Sequence, residues 1–229
     1  MNILVACEES QIVCKAFREK GHKAYSCDII PPSGGYEIWH IQQDVVPLLN
    51  GNCEFRTMDG RKHRIRGEWD MILAFPPCTH LTVSGAKHFE KKRKDGRQKK
   101  AIEFFGTILN CKCKRVCIEN PIGIIGGNYI KEYFPTLCKK YGLPKKPTQI
   151  IQPYQYGHPN RKATCLWIKG LSPLTPTKVV EPDIVSYTRK DGRVTTFSKH
   201  MTEFPGPGRA LRRSKTFEGV AKAMAEQWG

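Results

Sequence analysis

Four short apolar runs constrain this chain more than any other feature: residues 2–7 (NILVAC), 23–27 (KAYSC), 70–75 (DMILAF) and 115–118 (RVCI). Each has the length of a strand, and their continuous apolar character suits strands buried in a parallel sheet. Helical spacing lies between the first two, where Ile12, Val13, Ala16 and Phe17 recur on one face. Ser10 is placed to cap that helix and Gly21 to end it. A further helix is expected over 98–109, strands at 148–152 and 163–168, and a closing helix over 216–227. A weaker strand at 41–46 carries Asp44. Strands alternating with helices predict an α/β fold, a mostly parallel sheet with helices on both faces. Residues 171–209 break the pattern. They hold many Pro, Gly and Lys residues and a hairpin signal at Asp191 and Gly192. They are read as a small insertion into a main domain formed by 1–170 and 210–229.

Such a sheet also predicts where chemistry lies, because open parallel sheets bind ligands beyond the carboxyl ends of their strands. Ala6, Cys7, Glu8 and Ser10 follow the first strand, Asp28 and Ile29 the second, and Asp44 the third. Phe75, Pro76 and Cys78 follow the next strand, and Glu119 the one after. All of them fall on one rim.

The formal net charge is +17, from 38 Lys and Arg against 21 Asp and Glu, so a polyanion is the natural partner. The densest run is 86–100, AKHFEKKRKDGRQKK, an exposed loop or helix start. A charge run is often only a solvated face. Its place directly after Cys78 favours phosphate contact through Lys91, Lys92, Arg93, Lys94 and Arg97, with Ser84 nearby. The ten cysteines are scattered, and several sit in apolar runs, as reduced thiols filling a core would. Cys111, Cys113 and Cys117 lack the paired spacing of a structural zinc site, and no metal is expected. No apolar run reaches the ~18 residues needed to cross a bilayer. The apolar start is too short for a signal peptide. A soluble intracellular protein without membrane contact is expected.

Phe75-Pro76-Pro77-Cys78, followed by Thr82-Val83-Ser84-Gly85, resembles the nucleophile motif of the DNA cytosine-5 methyltransferases, Pro-Pro-Cys-Gln and then Phe-Ser-x-Ala-Gly. Ile118-Glu119-Asn120-Pro121 resembles that family's Glu-Asn-Val motif, one helix and one strand later. Residues 2–29 are similar to its first strand, helix and second strand. Gln43-Asp44-Val45 is similar to a Gly-Asp-Ile segment, and residues 156–161 to a Tyr-Gly-x-Pro-Gln-x-Arg stretch. Residues 214–228 are similar to the terminal helix that completes the cofactor pocket. Similar short chains occur among phage-borne members, which implies the cytoplasm of a bacterial or phage-infected cell.

The resemblance implies a Rossmann-like S-adenosylmethionine-dependent methyltransferase fold, with residues 171–209 as the target-recognition insertion. Asp28 would hold the cofactor ribose and Asp44 the adenine amino group. Ala6, Cys7, Glu8, Ser10, Ile29, Phe75 and Pro76 would complete that pocket. Cys78 would add to carbon 6 of cytosine in DNA, turning carbon 5 into a nucleophile for the methyl group. Glu119 would bond ring nitrogen 3, and Arg161, or its neighbour Lys162, the ring carbonyl. The base must be flipped out or single-stranded to be reached, and a monomer would suffice.

The chain also departs from the family. Its first loop reads Ala6-Cys7-Glu8-Glu9-Ser10-Gln11 where the family has Phe-x-Gly-x-Gly, and Thr79 follows the cysteine in place of Gln. Two other functions stay open at this point. One is one-carbon transfer to pyrimidines of RNA or nucleotides. The other is a catalytically silent nucleic-acid-binding module, in which Cys78 is an inert thiol and Glu119 caps a turn.

Overall fold

The computed structural model describes residues 1–199 and 208–229. Its strands are β1 (Asn2–Ala6), β2 (Lys23–Asp28), β3 (His40–Gln42), β4 (Cys53–Arg56), β5 (Lys62–Ile65) and β6 (Met71–Ala74). They continue with β7 (Val116–Pro121), β8 (Gln149–Ile151), β9 (Thr164–Lys169), β10 (Ile184–Thr188) and β11 (Val194–Ser198). The helices are α1 (Ile12–Glu19), α2 (Phe89–Lys94), α3 (Arg97–Leu109), α4 (Asn128–Tyr133), α5 (Pro135–Tyr141), α6 (Arg209–Ser214) and α7 (Glu218–Trp228).

One sheet runs β3-β2-β1-β6-β7-β9-β8. Pairings from β3 to β7 are parallel, and β9 runs antiparallel to both β7 and β8. The central strands are buried on both faces. In β1, Ile3 and Val5 face a core shared with Val13, Phe17, Val220 and Met224 of α1 and α7. Leu4 and Ala6 face the opposite core, with Ile102, Phe105 and Ile108 of α3. This two-residue alternation is the strand period, and it needs apolar residues at every position of a covered strand. The architecture is the expected mostly parallel sheet covered by helices on both faces, Rossmann-like in its layering.

Some details differ from the expectations. The strand expected at 115–118 continues through Glu119 to Pro121, so Glu119 lies inside β7. The charge run contains a short helix, α2. Between β3 and β6 lies an unanticipated hairpin of β4 and β5, seated by Phe55 and Ile65. The Phe55 ring meets Tyr25 edge-on at 5.1 Å.

Within 171–209, β10 and β11 pair antiparallel around Asp191 and Gly192. Residues 174–180 are fastened to the main body, Leu174 by burial and Val180 by its N–H on the Tyr154 carbonyl (2.9 Å). Residues 200–207 of this insertion lie outside the described residues. Among the described residues, no helix is long and apolar enough to cross a membrane.

Candidate active site

Parallel pairing sets Ala6 beside Cys27 and Asp28 beside Gln42, so the ends of β1, β2 and β3 form one ledge. The chain leaves β1 through Cys7 (φ 58°) and enters α1 through Gln11 (φ 59°), both left-handed. Such a conformation costs a non-glycine residue roughly 1–3 kcal/mol, so its surroundings must hold it. Glu8 and Gln11 are part of that holding. Glu8 folds under α1, its Oε1 accepting the Val13 N–H (2.6 Å) and its Oε2 the Cys14 N–H (3.1 Å). Glu8, and not Ser10, therefore satisfies the open amides of the helix. Gln11 is buried, donating to Ser26 Oγ (3.1 Å) and the Tyr36 carbonyl (2.9 Å) and accepting the Tyr36 N–H (3.0 Å). The loop after β2 thereby lies on the first loop. At Gly34 the approach is so close that a Cβ would stand 2.6 Å from the Ser10 carbonyl oxygen.

Glu8 is 4% exposed, and burial pushes its carboxyl up to about 8, although the Val13 and Cys14 amides pull it down. With the folded value above the unfolded one, the unfolded chain loses its proton first as pH rises. Stability should therefore fall from about pH 4.5 to about pH 8, by up to about 1.4 kcal/mol per pH unit, and level off above. Asp28 and Glu119, also raised by burial, add slopes of the same sign. The difference between wild type and Glu8→Gln in urea titrations across this range isolates Glu8. Parallel curves would mean that its carboxyl is ionised throughout.

The thiol of Cys7 is pushed up by burial first, then by Asp28, Cys27 and Asp44, so both acids act on one spot. Asp28 is half-buried, with Oδ1 accepting the Ile30 N–H (3.2 Å), and Asp44 Oδ1 accepts the Val46 N–H (2.9 Å). Beside them Ile29 is 72% exposed, and Val46 is also exposed. The Phe75 N–H donates to the Ala6 carbonyl (2.9 Å), which joins this ledge to the end of β6.

Past β6, Pro76 is buried and its carbonyl accepts Asn120 Nδ2 (2.8 Å), so β7 holds the turn that presents Cys78. The Cys78 carbonyl accepts the N–H groups of Leu81 and Thr82 (both 2.9 Å). The following loop is laced to residues 122–124, Val83 N–H to the Ile122 carbonyl (3.1 Å) and Ile124 N–H to the Leu81 carbonyl (2.8 Å). A Cβ on Gly123 would lie 2.5 Å from the Leu81 carbonyl oxygen, so only glycine fits there. Ser84 is exposed, its hydroxyl 3.3 Å from that of Thr82.

Burial raises the Cys78 thiol and Glu119 raises it further, while Lys162 and Arg213 lower it. Glu119 is itself raised by burial, against Lys162 and a hydrogen bond with the Thr164 side chain. Lys162 Nζ donates to the Arg213 carbonyl (3.0 Å) and stands 5.8 Å from the Phe217 ring. Cys78, Glu119, Lys162 and Arg213 thus share one neighbourhood. Arg161, the expected active-site cation, is exposed, and its backbone N–H donates to Ser198 Oγ (3.1 Å). Adjacent residues of an extended segment point to opposite sides, and here Lys162 is the one turned toward Cys78 and Glu119.

Three contributors escaped the sequence. Asn120 anchors the cysteine turn, and Arg213 brings a cation from the terminal segment. His158 Nε2 accepts the Gly219 N–H (2.8 Å), which fixes the start of α7. A histidine three residues before the expected arginine was the one available signal, since neither tie is local in sequence.

The basic run divides. Lys92 is buried with Nζ on the Thr79 carbonyl (2.6 Å), a tie within the cysteine loop. Lys94 pairs with Glu90 (2.7 Å), and Arg97 Nε with Asp95 (2.9 Å). Arg93 lies 4.0 Å over the Tyr133 ring, and Lys91 is exposed. Cys111 and Cys113 are buried, and among the described residues no group of three His, Cys, Asp or Glu side chains is placed to hold a metal ion.

No family model and no curated protein matches the chain. Among solved structures it is similar to one described as a DNA modification methyltransferase encoded within a prophage in E. coli, with 13% identity and a TM-score of 0.47. That likeness covers 79% of this chain and 52% of the other, so the chain spans about half that protein's length.

Proposed function

We propose that this protein is an S-adenosylmethionine-dependent methyltransferase acting on carbon 5 of cytosine in DNA, with Cys78 as nucleophile. The observation that carries this reading is the electrostatic coupling of Cys78, in the turn after β6, to Glu119 in the neighbouring β7, with Lys162 acting on both groups and Arg213 on the thiol. Cys78 Sγ adds as the thiolate to carbon 6 of the ring, and once carbon 5 carries the methyl group a base takes the carbon-5 proton and the thiolate leaves carbon 6. Burial biases the Glu119 carboxyl toward its protonated form, in which it donates to nitrogen 3 and offsets the charge pushed into the ring. Lys162, with Arg213, favours the thiolate, the attacking form. Arg161, at the exposed mouth, is left for the ring carbonyl or a phosphate.

The ledge at β1, β2 and β3 suits the cofactor. In a chain of net charge +17 it concentrates Asp28 and Asp44 beside exposed Ile29 and Val46. S-adenosylmethionine brings a ribose diol, a flat adenine and a sulfonium, and these want an acid, apolar walls and negative potential respectively. When bound it supplies an electrophilic methyl group. Asp28 would accept the ribose hydroxyls, with Ile29 against the adenine and Asp44 toward its amino group. Ala6, Cys7, Ser10, Phe75 and Pro76 form the floor, while Glu8 is spent on α1. The hairpin of β10 and β11 stands next to Lys162, through the Arg161 to Ser198 bond, as the target reader.

Incubation with tritiated S-adenosylmethionine should label DNA in preference to RNA and free nucleotides. Label in RNA or nucleotides alone would move the substrate, and no label in any of them would leave a binding module. Asp28→Ala should weaken cofactor binding by roughly 1–3 kcal/mol, the scale of a lost hydrogen bond to a charged group. Calorimetry showing unchanged affinity in a folded variant would pass the ribose to Glu9.

A further inference from the structure

The cations after Cys78 are not equivalent. Lys92 is turned inward, Lys94 and Arg97 are matched by Glu90 and Asp95, and Lys99 by Glu103 (3.9 Å). Arg93 is held mainly by neutral groups instead, with Glu90 a lesser attraction. Its guanidinium lies 4.0 Å over the Tyr133 ring, and its Nη1 donates to Tyr129 Oη (3.3 Å). Tyr129 Oη in turn donates to Oε1 of Gln98, which is fully buried in the first turn of α3. Phe89 packs on Tyr129 (5.1 Å) and Tyr129 on Tyr133 (4.6 Å), so the whole support is rigid aromatic surface. Nearby acids are committed, Glu90 to Lys94 and Glu132 to the Tyr133 hydroxyl.

A guanidinium oriented in this way keeps its charge and most of its five donors, and loses little freedom when it binds. Positive charge continues beyond it. Between positions 128 and 148 there are five lysines (131, 139, 140, 145 and 146) against one acid, Glu132. The backbone of Lys145 and Lys146 packs against Gly126, on the loop that follows Glu119.

We propose that Arg93 is a fixed phosphate-gripping residue, positioned by Tyr133, Tyr129 and Gln98, that seats one phosphodiester of the DNA flanking the target base. Lys131, Lys145 and Lys146 extend the track. This rests on the reading of the partner as DNA. It makes recognition a planar fork locked on an aromatic support, where a charge run predicts only diffuse attraction. Lys92 ties α2 to Thr79, so a phosphate on Arg93 also sets the height of the cysteine loop over the strand.

The test is fluorescence anisotropy of the full chain with a duplex oligonucleotide across a salt series. Arg93→Ala should weaken binding about tenfold and lower the slope of log affinity against log salt by about one unit. Arg93→Lys keeps the charge but not the fork or the stack, and should weaken binding nearly as much. Tyr129→Phe removes only the orienting hydroxyl and should weaken binding several-fold with the ring stack intact. Full binding by Arg93→Lys would overturn the proposal in favour of a solvated charged face, as would a wild-type slope in Arg93→Ala. A wild-type protein that binds an acidic polypeptide and no duplex would overturn both this proposal and the reading of DNA as partner.

Discussion

Cys78→Ser should abolish methyl transfer and leave S-adenosylmethionine affinity nearly unchanged. Burial and the Glu119 charge already oppose ionisation at this position, against Lys162, a backbone hydrogen bond and Arg213 in its favour. A hydroxyl, far harder to deprotonate than a thiol, cannot overcome that opposition. The turn that carries Cys78 is also anchored apart from the acid ledge, through Pro76 to Asn120 on β7, while Asp28 ends β2 and Asp44 follows β3. Two measurements check the claim. Isothermal calorimetry should give wild-type cofactor affinity, and tritium transfer to DNA should fall to background. Wild-type protein with duplex containing 5-fluorocytosine should form a denaturant-resistant adduct, since fluorine cannot leave as the carbon-5 proton does. Turnover by the serine variant would remove Cys78 from the mechanism.

Glu119→Gln is the second large effect. The glutamine keeps the shape and the contact to Thr164 but has no proton to give, so kcat should drop by about 10²–10⁴. The thiol should respond as well, which a carboxyl with a merely structural role would not cause. Glu119 raises the thiol, so its removal lets Lys162 and Arg213 prevail and lowers the Cys78 value. Alkylation of Cys78 by iodoacetamide should then become faster at a given pH, with its profile shifted toward acid, while catalysis collapses. In the wild type the two groups make opposite demands, thiolate on one and proton on the other. The rate should rise and then fall with pH, in two steps that belong to the pair. An alkylation profile that stays put in Glu119→Gln would separate the carboxyl from the thiol.

What could be read from residues alone follows a physical line. Strands β1, β6 and β7 were plain because a strand covered on both faces must be apolar throughout, and their ends carried the reactive residues with them. The β4 and β5 hairpin was hidden because one face of Cys53–Arg56 and Lys62–Ile65 is solvated, so Glu54, Arg56, Lys62 and Arg64 mask Phe55 and Ile65. Helix α2 was hidden by its own charges. The exchange between Arg161 and Lys162 is a matter of one residue in an extended segment, where composition is silent about which side faces in. The role of Glu8 under α1 was hidden too. Capping by a side chain five or six residues upstream needs the left-handed turns at Cys7 and Gln11, which no propensity favours in non-glycine residues.

The contact between Gly34 and Ser10 shows that the need for a small residue has moved. Where a turn of glycines would leave room above itself, this chain fills the turn with Glu8 and Gln11 and removes the side chain from the opposing stretch of backbone. The same clearance is shared out differently between two segments more than twenty residues apart. A pattern demanding glycine between the first strand and the first helix would pass over a chain built on this plan. One that weighed the two facing segments jointly would find it.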